Sequence, residues 1–152
     1  MLNTLSLRAT TLLIAFVYLA TIIGAWIFEY AGYLPCELCL MQRWAYYGLV
    51  PVALLLALWN PSWLRGALAV LGLVLVGNAI FGVFHSGVEW GWWQGPTTCS
   101  GGAMTMGLPD LSKPAVMCNE AAIRILGLSL AGWNAVISGV LAVIAFAAVK
   151  RG

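Results

Sequence analysis

Four stretches of this chain carry no charged side chain: 9–28, 44–64, 66–88 and 125–149, each of twenty residues or more. This constrains the fold more than any other feature. An α-helix of roughly 20 residues crosses the ~30 Å hydrocarbon core of a bilayer. An open sheet or a bare loop cannot face lipid, because its backbone polar groups would go unsatisfied. The expectation is an all-α membrane protein, a four-transmembrane-helix bundle forming one domain over residues 1–152. Composition agrees: 8% of residues are charged, against about 25% in soluble domains. The net charge of +2 gives no basic surface for nucleic acid. The first run exceeds the 7–15-residue core of a signal peptide and lacks a following cleavage site, so it is read as a retained helix.

Four spans put both termini on one side with the turn between spans two and three. That side carries Arg8, Arg65, Lys150 and Arg151 and no acid. The other carries Arg43, Lys113 and Arg124 against Glu29, Glu37, Glu89, Asp110 and Glu120. The positive-inside rule makes the first side cytoplasmic. The segments 29–43 and 89–124, which hold all four cysteines, then face outward, where disulfides persist.

Pro35-Cys36-Glu37-Leu38-Cys39-Leu40-Met41-Gln42-Arg43 is the stretch with chemistry in it. Cysteines three apart can close a small redox ring. Pro35 suits a first helical position, which puts Cys39 near the positive end of a helix dipole. Arg43 follows Cys39 by one helical turn. Both features favour a thiolate at Cys39. Leu40 stands where c-type haem attachment needs histidine.

The second outward segment is the only long one, rich in glycine and proline, with Cys99 near its start and Cys118 near its end. As a simple staple, the pair would stabilise by roughly 3 kcal/mol in the chain-entropy model. Beside a first pair on the same membrane face, it could relay electrons by thiol–disulfide exchange. The cysteine spacing lacks the second short knuckle of a four-thiolate zinc site, and no metal is expected. Asn78 and His85 lie seven apart and share a face of span three. Asn78 reads as interhelical glue, and His85, taken alone, as a packing residue. Ala20 and Gly24 form a small-xxx-small pair able to seat a neighbouring helix. Trp44, Tyr46 and Tyr47 read as interface aromatics.

A dithiol relay must discharge its electrons, and the chain has no haem, dinucleotide or iron–sulfur motif. A membrane quinone, ubiquinone or menaquinone, is the economical acceptor. The combination of four spans, Pro35-Cys36-x-x-Cys39 with Arg43, His85 at the outer end of span three, and Cys99 and Cys118 in the second outer loop resembles the DsbB family of membrane thiol:quinone oxidoreductases. That resemblance implies an enzyme of the bacterial inner membrane that reoxidises a periplasmic DsbA-like oxidase. It implies that Cys99 forms the mixed disulfide with that partner and that Cys118 exchanges with Cys36. It makes Cys39 the quinone-facing thiolate, with Arg43 stabilising it and His85 close to the quinone. It also implies a short surface helix in the second loop, matching Met104–Met117. The alternatives are a vitamin K epoxide reductase-like enzyme, whose C-x-x-C lies on a late span, and a non-catalytic metal-binding or stapled structural membrane protein.

Overall fold

A computed structural model describes residues 6–96, 99 and 117–151 of the chain. Four helices, α1 (Leu7–Tyr30), α2 (Glu37–Trp59), α3 (Leu64–Glu89) and α4 (Leu130–Arg151), are long and apolar enough to cross a membrane. A two-stranded antiparallel hairpin, β1 (Arg124–Ile125) and β2 (Leu128–Ser129), precedes α4. The region predicted to hold a surface helix, Met104–Met117, lies outside the described residues except for Met117.

The helix ends have local causes. Ser6 caps α1 by accepting the Ala9 N–H at 3.2 Å. Asn60, in the left-handed conformation at φ 48°, ends α2 ahead of Pro61, so this span stops before the predicted boundary at Leu64. The same span starts earlier than predicted, at Glu37, and Pro35 lies outside the helix rather than at its first position; Cys36 takes the capping place. The fourth span starts later than predicted. Leu126 and Gly127 both take positive φ and close a two-residue turn between β1 and β2. The Ser129 hydroxyl then accepts the Gly132 N–H at 3.1 Å, which starts α4 at Leu130.

The core holds Ile14, Leu49, Leu68, Leu75 and Leu141. Across it runs a chain of polar groups that lipid could not have satisfied. Asn78 donates to Tyr18 at 3.1 Å, Asn134 at 2.9 Å and Ser138 at 3.2 Å. Tyr46 donates to the same Asn134 oxygen. Tyr46 is therefore not an interface aromatic: it is buried and stacked on Tyr18 with ring centroids 4.3 Å apart. Such bonds between helices contribute about 0.6 kcal/mol each on average, so their larger effect is to fix which helix faces meet. α3 and α4 approach closely at Gly82, where an added Cβ would lie 2.9 Å from the Ala135 nitrogen and 3.0 Å from the Ala131 oxygen.

Ala20 and Gly24 do not seat a helix. They line a cavity of about 560 Å³ between α1, α2 and α4, and Gly24 has open space where its Cβ would be. Small side chains here make room instead of contact.

Candidate redox site

The site forms where α2 begins and α3 ends. Cys36 is the N-cap of α2, and its sulfur accepts the Cys39 N–H at 3.3 Å. The geometry that lets a C-x-x-C motif open a helix thus gives this backbone donor to the first cysteine. The Cys36 and Cys39 sulfurs stand 2.8 Å apart as free thiols. A third group arrives from α3: His85 Nε2 lies 3.4 Å from the Cys36 sulfur. His85 is buried, 1% exposed, so its ring is held by the bundle rather than by solvent.

Gln42, one helical turn beyond Cys39, fixes that ring. Its carbonyl oxygen lies 3.0 Å from His85 Nδ1. A carbonyl only accepts, so Nδ1 carries a proton and Nε2 is the nitrogen turned to Cys36, where it can take the thiol's proton and donate it back to the thiolate. On the other side of Nε2, at 3.8 Å, is a carboxylate oxygen of Glu89. The second Glu89 oxygen is buried with no partner among the described residues.

These contacts set the charge state of Cys36, which sits just outside the α2 span. The hydrogen bond from Cys39 lowers its pKa from 9.0 to about 5, helped by His85 and opposed by burial. Cys36 is the sulfur held as an anion, whereas the sequence pointed to Cys39. Arg43, expected beside the Cys39 sulfur, pairs with Glu29 of α1, Nη1 to Oε2 at 2.5 Å.

The second cysteine pair is adjacent. Cys99 and Cys118 form a disulfide with Cα atoms 5.1 Å apart. Both are buried with Cys36, Leu38 and Val88 in one apolar cluster, and Cys39 packs against it. Two dithiol pairs thus share one core.

The cavity opens on the far side of the first pair. Cys39, Gln42 and Arg43 line it from α2, and Asn134 from α4, while His85 is not among its lining residues. Its walls are otherwise mostly apolar. The Gln42 and Asn134 side-chain nitrogens are buried donors with no partner among the described residues. Sequence reasoning missed Gln42, Glu89 and Asn134. Glu89 did carry a signal, since it follows His85 by four and shares its helix face.

Residues 7–148 match the family model for DsbB, described as disulfide bond formation protein DsbB. Disulfide bond formation protein B of Albidiferax ferrireducens is 28% identical over 90% of this chain and 86% of its own. The protein of that name from an Azoarcus species is 29% identical over 91% and 90%. Disulfide bond formation protein B 2 of Pseudomonas aeruginosa is 28% identical over 68% and 66%. No solved structure matches the chain. The match covers the four helices and the cysteine-bearing segments between them, and on that ground the chain belongs to the DsbB family, multi-pass membrane oxidoreductases of disulfide bond formation.

Proposed function

We propose that this protein takes electrons from a DsbA-like thiol oxidase on the outer face of the bacterial inner membrane and passes them to a membrane quinone. The observation that carries the reading is the cavity. It is apolar, about 560 Å³, within the 300–1,000 Å³ usual for small-molecule sites. Cys39 stands in its wall, and two buried amide donors there, on Gln42 and Asn134, have no protein partner among the described residues. A quinone ring is apolar and carries carbonyl acceptors, so the cavity's chemistry fits it. When bound, it supplies an acceptor for two electrons and two protons. Gln42 and Asn134 would hold its oxygens, and Arg43, in the same wall, would favour negative charge there.

The protein's own steps are thiol–disulfide exchanges. A thiolate of the partner attacks the Cys99 sulfur, breaks Cys99–Cys118 and releases Cys118 as thiolate. The partner's second thiol then displaces Cys99 and leaves with its new disulfide. With Cys36 and Cys39 joined as a disulfide, Cys118 attacks Cys36 and releases Cys39. Cys99 then attacks Cys118, reforms Cys99–Cys118 and releases Cys36. Two electrons now reside on Cys36 and Cys39, and Cys99–Cys118 is bonded again. The depressed pKa of Cys36 makes it a good leaving group in that last exchange. The His85 Nε2 lone pair is placed to take the Cys36 proton. Cys39, at the cavity wall, is the sulfur that meets the acceptor.

The cysteine end faces the periplasm and both termini face the cytoplasm in this reading, following the lysine and arginine bias. The test is quinone reduction by a reduced DsbA-like protein with the purified chain. Cys39→Ser should abolish it and Arg43→Ala should slow it. Undiminished activity in Cys39→Ser overturns the assignment.

A further inference from the structure

The geometry points to a metal-binding state of the reduced site: Cys36, Cys39 and His85, with Glu89 as fourth donor, form a trap for a zinc-like divalent cation. The ligand atoms of Cys36, Cys39 and His85 all lie within 4.8 Å of one another. The cysteine spacing could not reveal this set. The first pair recruits its other donors from the end of α3, and the second pair takes no part.

Tetrahedral zinc, with Zn–S of about 2.3 Å and Zn–N of about 2.0 Å, sets sulfur and nitrogen roughly 3.5 Å apart and two sulfurs roughly 3.8 Å apart. Cys36 Sγ and His85 Nε2 already stand at 3.4 Å. The two sulfurs, at 2.8 Å, must open by about 1 Å. Cys39 can supply this movement because it is only half-buried and borders the cavity.

Two further observations favour an ion. The ligand nitrogen is preset: Gln42 on Nδ1 fixes the tautomer that turns the Nε2 lone pair inward, as the outer partners of metal-bound histidines do. A fourth donor is near, since one Glu89 oxygen is 3.8 Å from His85 Nε2, although it lies outside the 4.8 Å set and must swing inward to reach the ion. Its other oxygen is buried with no hydrogen-bond partner among the described residues, Ser129 bonds the carboxylate, and the side chain is 6% exposed. A dication would have to displace the Cys39 proton on binding, as zinc does at thiol ligands, and Arg124 of β1 is a cation near the Glu89 carboxylate.

The consequence rests on the function proposed above. The metal engages only the reduced pair, because disulfide sulfurs are poor ligands. It then occupies both sulfurs and the histidine lone pair together. Turnover stops until the ion leaves, so the enzyme stalls in excess zinc while its dithiol is reduced.

The experiment is a Co²⁺ titration of the detergent-purified chain reduced with a phosphine, followed by displacement with Zn²⁺. One equivalent should bind and give a thiolate-to-cobalt absorption band, and the same site should persist in C99S/C118S. The oxidised protein should bind none. Gln42→Leu, His85→Ala and Glu89→Gln should each weaken binding by about 10-fold or more. Equal binding by oxidised protein, or no binding by reduced protein, overturns the site. So does an affinity unchanged in both Glu89→Gln and Gln42→Leu, which would leave only a bare dithiol. These two variants carry the test if His85→Ala fails to fold. No quinone or partner is present in the titration. A chain that binds Co²⁺ but never reduces quinone would therefore refute the proposed function and leave this site standing.

Discussion

Cys36, not Cys39, should be the reactive anion of the reduced pair, and its pH profile should show it. The hydrogen bond from Cys39 and the neighbouring His85 bring its pKa from 9.0 to about 5. At pH 7 such a thiol is about 99% thiolate, against roughly 1% for an unperturbed one. The absolute rate at pH 7 is nevertheless a poor test. Thiolate nucleophilicity falls with pKa with a Brønsted slope of about 0.4–0.5, so four units remove roughly 60-fold and nearly cancel the gain. The discriminating pH is low. At pH 5.5 the thiolate fraction is about 0.76 against about 0.0003, and the net advantage after the nucleophilicity penalty is roughly 40-fold.

The assay is attack on a small aromatic disulfide by the reduced protein in detergent between pH 4.5 and 8.5, with the labelled cysteine identified by peptide mass spectrometry. The Cys36 rate should level off above about pH 6, because the folded-state pKa is depressed and the thiolate is lost only as pH falls through it. Cys39→Ala removes the largest lowering contribution and should move the midpoint up furthest. His85→Ala removes the next and should move it less. A Cys36 rate still rising tenfold per unit from pH 6 to 8 would refute the account. So would a larger shift in His85→Ala than in Cys39→Ala.

Glycines in this bundle should respond in opposite ways. Gly82→Ala pushes a methyl against α4 backbone and should cost about 1–3 kcal/mol in thermal or denaturant unfolding. Gly24→Leu enters open space, so it should leave the unfolding midpoint almost unchanged while raising the KM for quinone by filling the cavity. Asn134→Asp keeps the oxygen that accepts from Tyr46 and Asn78 and replaces the spare donor; quinone KM should rise about 5-fold or more, read in steady-state kinetics. Asn78→Leu removes the two N–H donors that Tyr18, Asn134 and Ser138 share and should lower stability by about 1–2 kcal/mol, with quinone KM less affected.

The four helices were legible because charge spacing alone dictates them, and the cysteine motif was legible because it sits where a span begins. The errors share a cause: within one stretch, sequence shows neighbours along a helix but not those across the bundle. Arg43 was assigned to Cys39 by helical register, yet Glu29 on the preceding helix pairs with it. Tyr46 resembled its interfacial neighbours Trp44 and Tyr47 but turns inward onto Tyr18. The hairpin was hidden because Leu126-Gly127 interrupts an apolar run without a charge or a proline. Small residues are the hardest case, since Ala and Gly at helical spacing serve equally to let helices touch or to keep a space between them. At Gly82 they do the first and at Gly24 the second. What decides is whether the facing helix also carries small residues. α4 presents Ala131 and Ala135 to Gly82, while the wall it gives the cavity adds Leu130, Trp133, Asn134 and Ile137 to the same Ala131. Larger α4 side chains such as Trp133 and Ile137 stand in that wall, and the gap beside Cys39 is the space that the proposed function assigns to a flat apolar acceptor.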